Sequence, residues 1–268
     1  MKTTDGAKPT ATERFFFDNN GYLVLESILE KDHVSQLLER LHQVIARRRK
    51  LQEQNIPHTG MTHIRGKNTR IFYILDDDSM LLELIDWPAI WPYVTGLLNA
   101  LPHHHASDAI VEYGPKERGM GWHIDGHDNG YRGLGKPIPL LQLKIGYYLT
   151  DMTETGHGNL CVVPGSHKAL HDPSAEDLQQ THLFPGAMQI CAPAGSAILF
   201  HNALWHSAGP WTQNDGARIM LYYAYEHPWM IASQEHWGYS KDFYNRLSSE
   251  HRKLFHGFLF HPPEHRWG

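Results

Sequence analysis

The spacing of apolar residues predicts helices in the N-terminal third of the chain. Between residues 31 and 49, apolar side chains recur three and four positions apart, the period of an amphipathic helix with one buried face. These residues are Val34, Leu37, Leu38, Leu41, Val44 and Ile45. A second helical pattern runs from Ser79 to Leu98 and breaks at Trp87-Pro88, where the proline is expected to start a new helix. Residues 1–13 lack any period and are predicted to form a loose tail.

From residue 109 onward the pattern changes to short β-rich runs separated by Gly, Pro, Asn and Asp. The runs lie at 109–114, 140–150, 160–163, 187–191, 196–201 and 217–225. A further strand is predicted at 22–25 after the turn signal Asn19-Asn20-Gly21, and a last helix near 241–255. No linker or internal repeat divides the chain. We therefore expect residues 1–268 to form one domain, with a β body behind a helical N-terminal part.

The polar segment between the two helical patterns contains glycine and is predicted to be a long loop over residues 51–69. Loops of this length are often lids or binding segments. The segment carries Arg65 and Lys67, and Arg70 follows it. We expect residues 52–70 to cover part of an active site, with Arg65 and Arg70 holding an anionic group of the substrate.

Composition narrows the range of partners and the compartment. A formal net charge of −5 and a pI of about 6.5 disfavour nucleic acid and anionic membranes as partners, so small molecules fit better. The two cysteines, Cys161 and Cys191, provide no disulfide framework, and no apolar run or leader is apparent. We expect a cytoplasmic protein. The adjacent residues His103 to His105 are expected to lie in a solvated loop, because three neighbouring side chains diverge.

Candidate metal chemistry centres on His123-Ile124-Asp125. Residues two apart on a strand point to the same face, so His123 and Asp125 can contact one ion. In a chain with 21 His and 29 Asp and Glu, this pair alone is weak evidence. A third ligand from Leu204-Trp205-His206-Ser207 would complete two histidines and one carboxylate, the facial triad of non-haem Fe(II) oxygenases. His201, five positions upstream, is the competing third ligand.

The segment 149–168 carries a more specific pattern. A strand ends at Asp151, a glycine turn follows, and a valine-rich strand closes in Pro164-Gly165-Ser166-His167. This order resembles the phytanoyl-CoA dioxygenase family, and the resemblance extends from Gly21 to about Tyr225. It implies a double-stranded β-helix, a jelly-roll or cupin-like barrel buttressed by N-terminal helices. One departure from the family pattern, His157-Gly158-Asn159-Leu160 in the turn, touches no metal ligand.

The resemblance also implies the residues of the site. It assigns Fe(II) to His123, Asp125 and His206, and favours His206 over His201 through its Leu-Trp-His-Ser context and its spacing to Arg218. The far carboxylate of the cosubstrate 2-oxoglutarate is expected at Arg218, whose planar guanidinium suits a carboxylate. Ser207, Lys144 and Gln142 are further candidates for the cosubstrate, and Trp122 is a candidate substrate contact. His167 is expected to shape the turn after Val163.

The activity implied is hydroxylation of an unactivated C–H bond in a small molecule. O2 and 2-oxoglutarate are consumed, and succinate and CO2 are the co-products. The carboxylate of Asp125 favours hydroxylation over halogenation, because family-related halogenases lack it. Two alternatives stay open: a cupin-like metalloenzyme that does not use 2-oxoglutarate, and a non-catalytic binding protein on the same barrel. The identity of the substrate does not follow from the sequence.

Overall fold

The first helix begins inside the segment predicted to be a loose tail. The computed structural model describes residues 8–56, 62–114, 121–126, 130–179, 186–214, 216–230 and 239–255. Helix α1 (Ala11–Asn20) starts at a capping box, in which the Thr10 hydroxyl accepts from the backbone N–H of Glu13 and the Glu13 carboxylate accepts from that of Thr10. These bonds satisfy N–H groups that lack partners in a first helical turn. The predicted tail is therefore too long at its C-terminal end.

The amphipathic helix predicted at residues 31–49 is confirmed as α2 (Lys31–Glu53). Its apolar face, which includes the fully buried Leu37 and Leu41, packs into the main core. Toward its C-terminal end, Arg47 and the buried Arg48 both contact the carboxylate of Asp77. Basic residues at this end of the helix therefore form ion pairs within the fold.

The second helical region breaks where the sequence predicts, but the proline that begins the next helix is a different one. Helix α3 (Ser79–Glu83) continues into a 3-10 turn (Leu84–Asp86), and α4 spans Trp91–Leu98. Pro92, not Pro88, lies in the first turn of α4. A proline is tolerated there because the N–H groups of a first turn have no helical partner.

Seven antiparallel strands form the main sheet in the described part of the chain. They are β1 (Tyr22–Leu25), β2 (Thr62–Arg65), β3 (Asn68–Phe72), β4 (His103–Tyr113), β5 (Gln142–Tyr148), β8 (Ala197–His201) and β10 (Ala217–Glu226). Their order in the sheet is β1-β8-β5-β10-β4-β3-β2. A smaller sheet of order β7-β6-β9 contains β6 (Leu160–Val162), β7 (Met188–Gln189) and β9 (His206–Ala208). The strands predicted after residue 109 are confirmed, and β9 is additional.

The main sheet separates two apolar cores. On one face, alternate strand residues such as Ile145 and Tyr223 pack against the helices. On the other face, Met220 and Phe200 pack against Leu160 of the smaller sheet. Two facing antiparallel sheets with helices behind one of them form the expected double-stranded β-helix.

The prediction of a long loop at residues 51–69 was wrong over most of the residues that the structure describes, and residues 57–61 lie outside the described residues. Helix α2 occupies its first part, and β2 and β3 form a hairpin that joins the edge of the main sheet, with Ile71 of β3 opposite Ala109 of β4. Gly66 in the tight turn has a φ of +61°, a conformation that glycine adopts without cost. The two strands were not predicted because one of their faces is polar. Hydrogen bonding of β3 to β4 stabilises the hairpin despite its weak local strand propensity.

The prediction of a solvated loop at His103 to His105 was also wrong, because these residues are buried in β4. Nδ1 of His103 lies 3.1 Å from one carboxylate oxygen of Glu226, and Nδ1 of His105 lies 2.9 Å from the other. Burial raises the pKa of Glu226, but the two histidines lower it more, to about 2. His104 points to the opposite face, against the rings of Tyr225 and Phe255. Alternation along a strand thus gives each histidine a buried partner.

Short helices complete the described chain. They are α5 (Ala175–Gln179), α6 (Lys241–Arg246) and α7 (Ser249–Arg252), the last followed by a 3-10 turn (Lys253–Phe255). The helix predicted near 241–255 is therefore present but divided. Across the described ranges, every helix is too short or too polar to cross a membrane.

Candidate active site

The His-x-Asp segment is held against β9 by backbone hydrogen bonds. The backbone N–H of His123 donates to the carbonyl of His206 at 3.0 Å, and the N–H of His206 donates to the carbonyl of His123 at 3.0 Å. The N–H of Asp125 donates to the carbonyl of Asn202 at 2.8 Å. The segment forms one antiparallel bridge rather than a full strand. This bridge brings two parts of the chain that are distant in sequence to one point.

The side chains of His123, Asp125 and His206 converge, with one ligand atom from each lying within 4.8 Å of the others. Nε2 of His123 is 3.9 Å from Oδ1 of Asp125, and Nε2 of His206 is 3.5 Å from Oδ2. Nδ1 of His123 is 2.9 Å from the carbonyl of Gly121, and Nδ1 of His206 is 2.8 Å from that of Leu204. A proton on each Nδ1 satisfies these carbonyls and leaves each Nε2 lone pair for a metal ion.

The protonation states also suit a metal ion. Burial raises the pKa of Asp125, but Lys144, His206 and His123 together lower it more, so that it lies well below its ordinary value. Burial, aided by His123, lowers the pKa of His206 to about 3. Near neutral pH the carboxylate is therefore charged and His206 is neutral, as metal ligands must be. Oδ2 of Asp125 is buried and has no hydrogen-bond partner among the described residues.

The three side chains line one partly open cavity. Four of the other residues predicted for the site also line it: Arg70, Lys144, Ser207 and Arg218. Nζ of Lys144 lies 3.1 Å from Oδ1 of Asp125, and the Ser207 hydroxyl donates to the carbonyl of Ala208 at 3.0 Å. One cavity therefore contains the predicted metal ligands and most of the predicted cosubstrate contacts.

Arg218 is a buried cation in this cavity. Its Nη1 donates to Oε2 of Glu112 at 2.8 Å, and its Nη2 donates to the hydroxyl of Tyr222 at 3.0 Å. Burial lowers the pKa of Arg218, but Tyr222, Glu112 and Tyr148 raise it more. Its Nε has no hydrogen-bond partner in the ranges that the structure describes. The guanidinium is thus fixed and charged, with a donor left for an anion.

Three of the predicted residues lie outside the cavity lining. Arg65 is exposed on β2, and Trp122 is buried in a separate apolar cluster with Trp205. Gln142 faces the same side of β5 as Lys144, but it lies beside Asn202, whose side-chain oxygen accepts from its backbone N–H at 3.2 Å. Gln142 therefore shares a strand face with Lys144 but lies at a different depth along the barrel.

The rival histidines have other surroundings. Nδ1 of His201 accepts from the backbone N–H of Ala203 at 2.9 Å, and its ring lies against that of His167. Nε2 of His167 is 3.1 Å from the carbonyl of Asp18, which agrees with the structural role predicted for it. His127, two positions after Asp125, lies outside the described residues.

Sequence reasoning missed three polar residues of the barrel interior. Asp108 and Glu112 lie on β4, and Tyr222 lies on β10 four residues after Arg218. All three bond to cavity arginines: Asp108 to Arg70, and the other two to Arg218. Tyr222 lies an even number of positions from Arg218, so the two side chains are expected on the same face of the strand. Asp108 and Glu112 are likewise four positions apart in an apolar strand, which indicates that both face the same side.

Comparisons with known proteins agree with this architecture. A model of the phytanoyl-CoA dioxygenase (PhyH) family matches residues 17–220. An ectoine dioxygenase of Nocardia farcinica (strain IFM 10152) is 23% identical over 219 residues, which cover 72% of this chain and 70% of that protein.

Two solved structures have the same fold. HygX from Streptomyces hygroscopicus, with nickel and 2-oxoglutarate bound, is 16% identical, with a TM-score of 0.67 over 85% of this chain and 89% of that one. Apo EctD from S. alaskensis is 22% identical, with a TM-score of 0.65 over 88% and 84%. Because the family model spans most of the described chain, this chain belongs to the phytanoyl-CoA dioxygenase family and is an enzyme of the dioxygenase class.

Proposed function

We propose that this chain is an Fe(II)- and 2-oxoglutarate-dependent oxygenase that hydroxylates a C–H bond of a small molecule. The observation that carries the proposal is one cavity lined by both His123, Asp125 and His206 and the buried, charged Arg218. Two histidines and one carboxylate leave coordination positions open, as the facial triad of this enzyme class requires. HygX, which has the same fold, has been solved with nickel, 2-oxoglutarate and hygromycin B bound.

In this proposal His123 and His206 bind the ion through Nε2, and Asp125 binds it through the oxygen turned away from Lys144. Arg218 holds the far carboxylate of 2-oxoglutarate through charge-assisted hydrogen bonds, with Ser207 beside it. When bound, the iron, 2-oxoglutarate and O2 together supply the oxidant that hydroxylates the substrate, with succinate and CO2 as co-products. The carboxylate of Asp125 favours hydroxylation over halogenation.

Anaerobic titration with Fe(II), with and without 2-oxoglutarate, tests the proposal. We expect one Fe(II) per chain and a visible charge-transfer band only when 2-oxoglutarate is present. His206→Ala should abolish the band. His201→Ala is the matched control, because it removes a buried histidine that lies outside the cavity lining, and it should keep the band.

The same titration separates the alternatives. Bound iron without a band would favour a cupin-like metalloenzyme that does not use 2-oxoglutarate. Absence of both would favour a non-catalytic binding protein on the same barrel. A band that survives His206→Ala but is lost in His201→Ala would move the third ligand to His201.

A further inference from the structure

Three cations line the cavity, and each is paired with a carboxylate, but the proposed function uses only two of these pairs. The shortest distances within the pairs are 2.8 Å for Arg218 and Glu112, 3.1 Å for Lys144 and Asp125, and 2.9 Å for Arg70 and Asp108. Arg218 serves the cosubstrate, and Asp125 serves the metal ion. The third pair has no task in that scheme, although Arg70 lines the same cavity.

Arg70 and Asp108 are fixed in place but leave polar atoms available. Nε and Nη2 of Arg70 contact a single oxygen of Asp108, Oδ2, at 3.1 and 2.9 Å. The guanidinium carbon lies 4.6 Å from the centre of the Phe72 ring, which holds one of its faces. Nη1 of Arg70 and Oδ1 of Asp108 take no part in this contact. The pair therefore offers a charged donor and a charged acceptor side by side.

The pair is also partly open to a ligand. The side chain of Arg70 is 35% exposed and that of Asp108 is 5% exposed. Both lie on paired strands of the main sheet, since Phe72 of β3 is opposite Asp108 and Asp108 is opposite Tyr222 of β10. In this rigid sheet Arg70 lines the cavity together with Tyr222, and Asp108 lies directly beside both of these lining residues.

Charge balance selects the kind of molecule that fits. A divalent metal ion and doubly charged 2-oxoglutarate cancel, and each cation of the cavity already has a carboxylate. A substrate with a net charge would add an unpaired charge to a partly dry cavity, which is costly. A molecule with one anionic and one cationic group adds no unpaired charge. Its anionic group can pair with Arg70 and its cationic group with Asp108.

We propose that the substrate is a small zwitterion, whose anionic group binds Arg70 and whose protonated nitrogen binds Asp108. This inference rests on the proposed function and names the substrate class of the same site. Arg65, the other arginine predicted to bind substrate, takes no part because it is exposed on β2.

A panel of compounds tests the class directly. The iron-loaded enzyme with 2-oxoglutarate is mixed with amino acids and their N-methylated and cyclic derivatives. For every responding compound, the methyl ester removes the anion and the N-acetyl derivative removes the cation. Binding is read anaerobically as a change in the charge-transfer band, and turnover as succinate formed. We expect at least one zwitterion to accelerate succinate formation tenfold or more, and both of its derivatives to lose that effect.

Variants then assign the contacts. Arg70→Gln and Asp108→Asn should each raise the KM of the responding zwitterion at least tenfold and leave the 2-oxoglutarate affinity within twofold. Arg65→Gln removes the same charge from an exposed position of the same hairpin and should leave both constants within twofold. Melting temperatures verify folding, and Arg70→Lys, which retains the charge, should recover part of the affinity.

Several outcomes would overturn the inference. One is that esters or N-acetyl derivatives act as well as the zwitterion. Another is that Arg70→Gln behaves like Arg65→Gln, or weakens 2-oxoglutarate binding in place of substrate binding. If the band forms but no zwitterion responds, the substrate class is wrong and the proposed function stands. If the band does not form in the parent protein, the proposed function itself fails.

Discussion

Nζ of Lys144 lies 3.1 Å from Oδ1 of Asp125, while the other oxygen of that carboxylate lies 3.5 Å from Nε2 of His206. The two oxygens of Asp125 are thus divided between a fixed cation and the proposed metal position. Lys144 also lowers the pKa of Asp125, against the effect of burial. The lysine considered from the sequence as a cosubstrate contact therefore orients a proposed metal ligand in this structure.

Lys144→Met should weaken metal binding by roughly ten- to hundredfold, the usual effect of removing a hydrogen-bond partner of a ligand. The loss should grow as the pH falls, because the pKa of Asp125 rises when the lysine is removed. Anaerobic calorimetry with Fe(II) at pH 7.5, 6 and 5 measures this. Lys144→Arg keeps a cation, so its Fe(II) affinity should lie between that of the parent protein and that of Lys144→Met. Equal affinities of the parent and Lys144→Met at all three pH values would remove Lys144 from this role.

Arg218→Ala should damage 2-oxoglutarate affinity far more than iron affinity. Removing one partner of a buried, charge-assisted pair costs on the order of 2 to 5 kcal/mol, because the other charge is left unpaired. This corresponds to a loss of roughly thirtyfold to several thousandfold. Arg218→Lys should recover only part, since an ammonium lacks the planar fork. If the 2-oxoglutarate KM of Arg218→Ala is within twofold of that of the parent protein, another residue must bind the far carboxylate of 2-oxoglutarate. Lys144 would then be the leading candidate.

The buried His201 should make the stability of the metal-free protein depend on pH. Burial, aided by His167, lowers its pKa to about 3. The neutral His201 therefore contributes fully to the free energy of unfolding above the ordinary histidine pKa. This contribution is lost as the pH falls toward the pKa of His201 in the folded protein, at about 1.4 kcal/mol per pH unit. His201→Asn keeps an acceptor for Ala203 and cannot titrate, so its free energy of unfolding should fall less steeply. Urea unfolding between pH 7.5 and 5 measures both slopes, and parallel slopes would contradict the assignment.

Asn159 stabilises the turn in which the sequence departs from the family pattern. Its fully buried amide donates to the carbonyls of Met152 at 2.9 Å, Glu154 at 3.1 Å and Ile190 at 3.2 Å. Asn159→Ala should lower the free energy of unfolding by about 1–3 kcal/mol, because it removes several buried hydrogen bonds that each contribute about 0.5–1.5 kcal/mol. Chemical denaturation measures the change. Asn19→Ala, at an exposed asparagine, is the control, and equal effects of the two substitutions would refute the role.

Local pattern by itself predicted several parts of this protein. Helical spacing indicated α2, alternation and turn residues indicated the strands after residue 109, and His123 and Asp125 were paired by strand parity. These features depend on neighbours in sequence, so composition and period are sufficient to indicate them. His206 and Arg218 came from the family resemblance, because no local rule connects them to a pair that lies between 81 and 95 residues away.

Only the tertiary structure decided which distant groups meet. The β2–β3 hairpin appears because β4 supplies its hydrogen-bond partners, and the sequence of residues 62–72 does not contain that information. Glu226, at the far end of another strand, contacts two histidines that were predicted to be solvated, and the three residues form a buried cluster. The pairing of Arg70 with Asp108 and the depth of Gln142 likewise depend on sheet register. Register is set by long-range packing across the barrel, and a linear pattern specifies the face of a strand without specifying its neighbour.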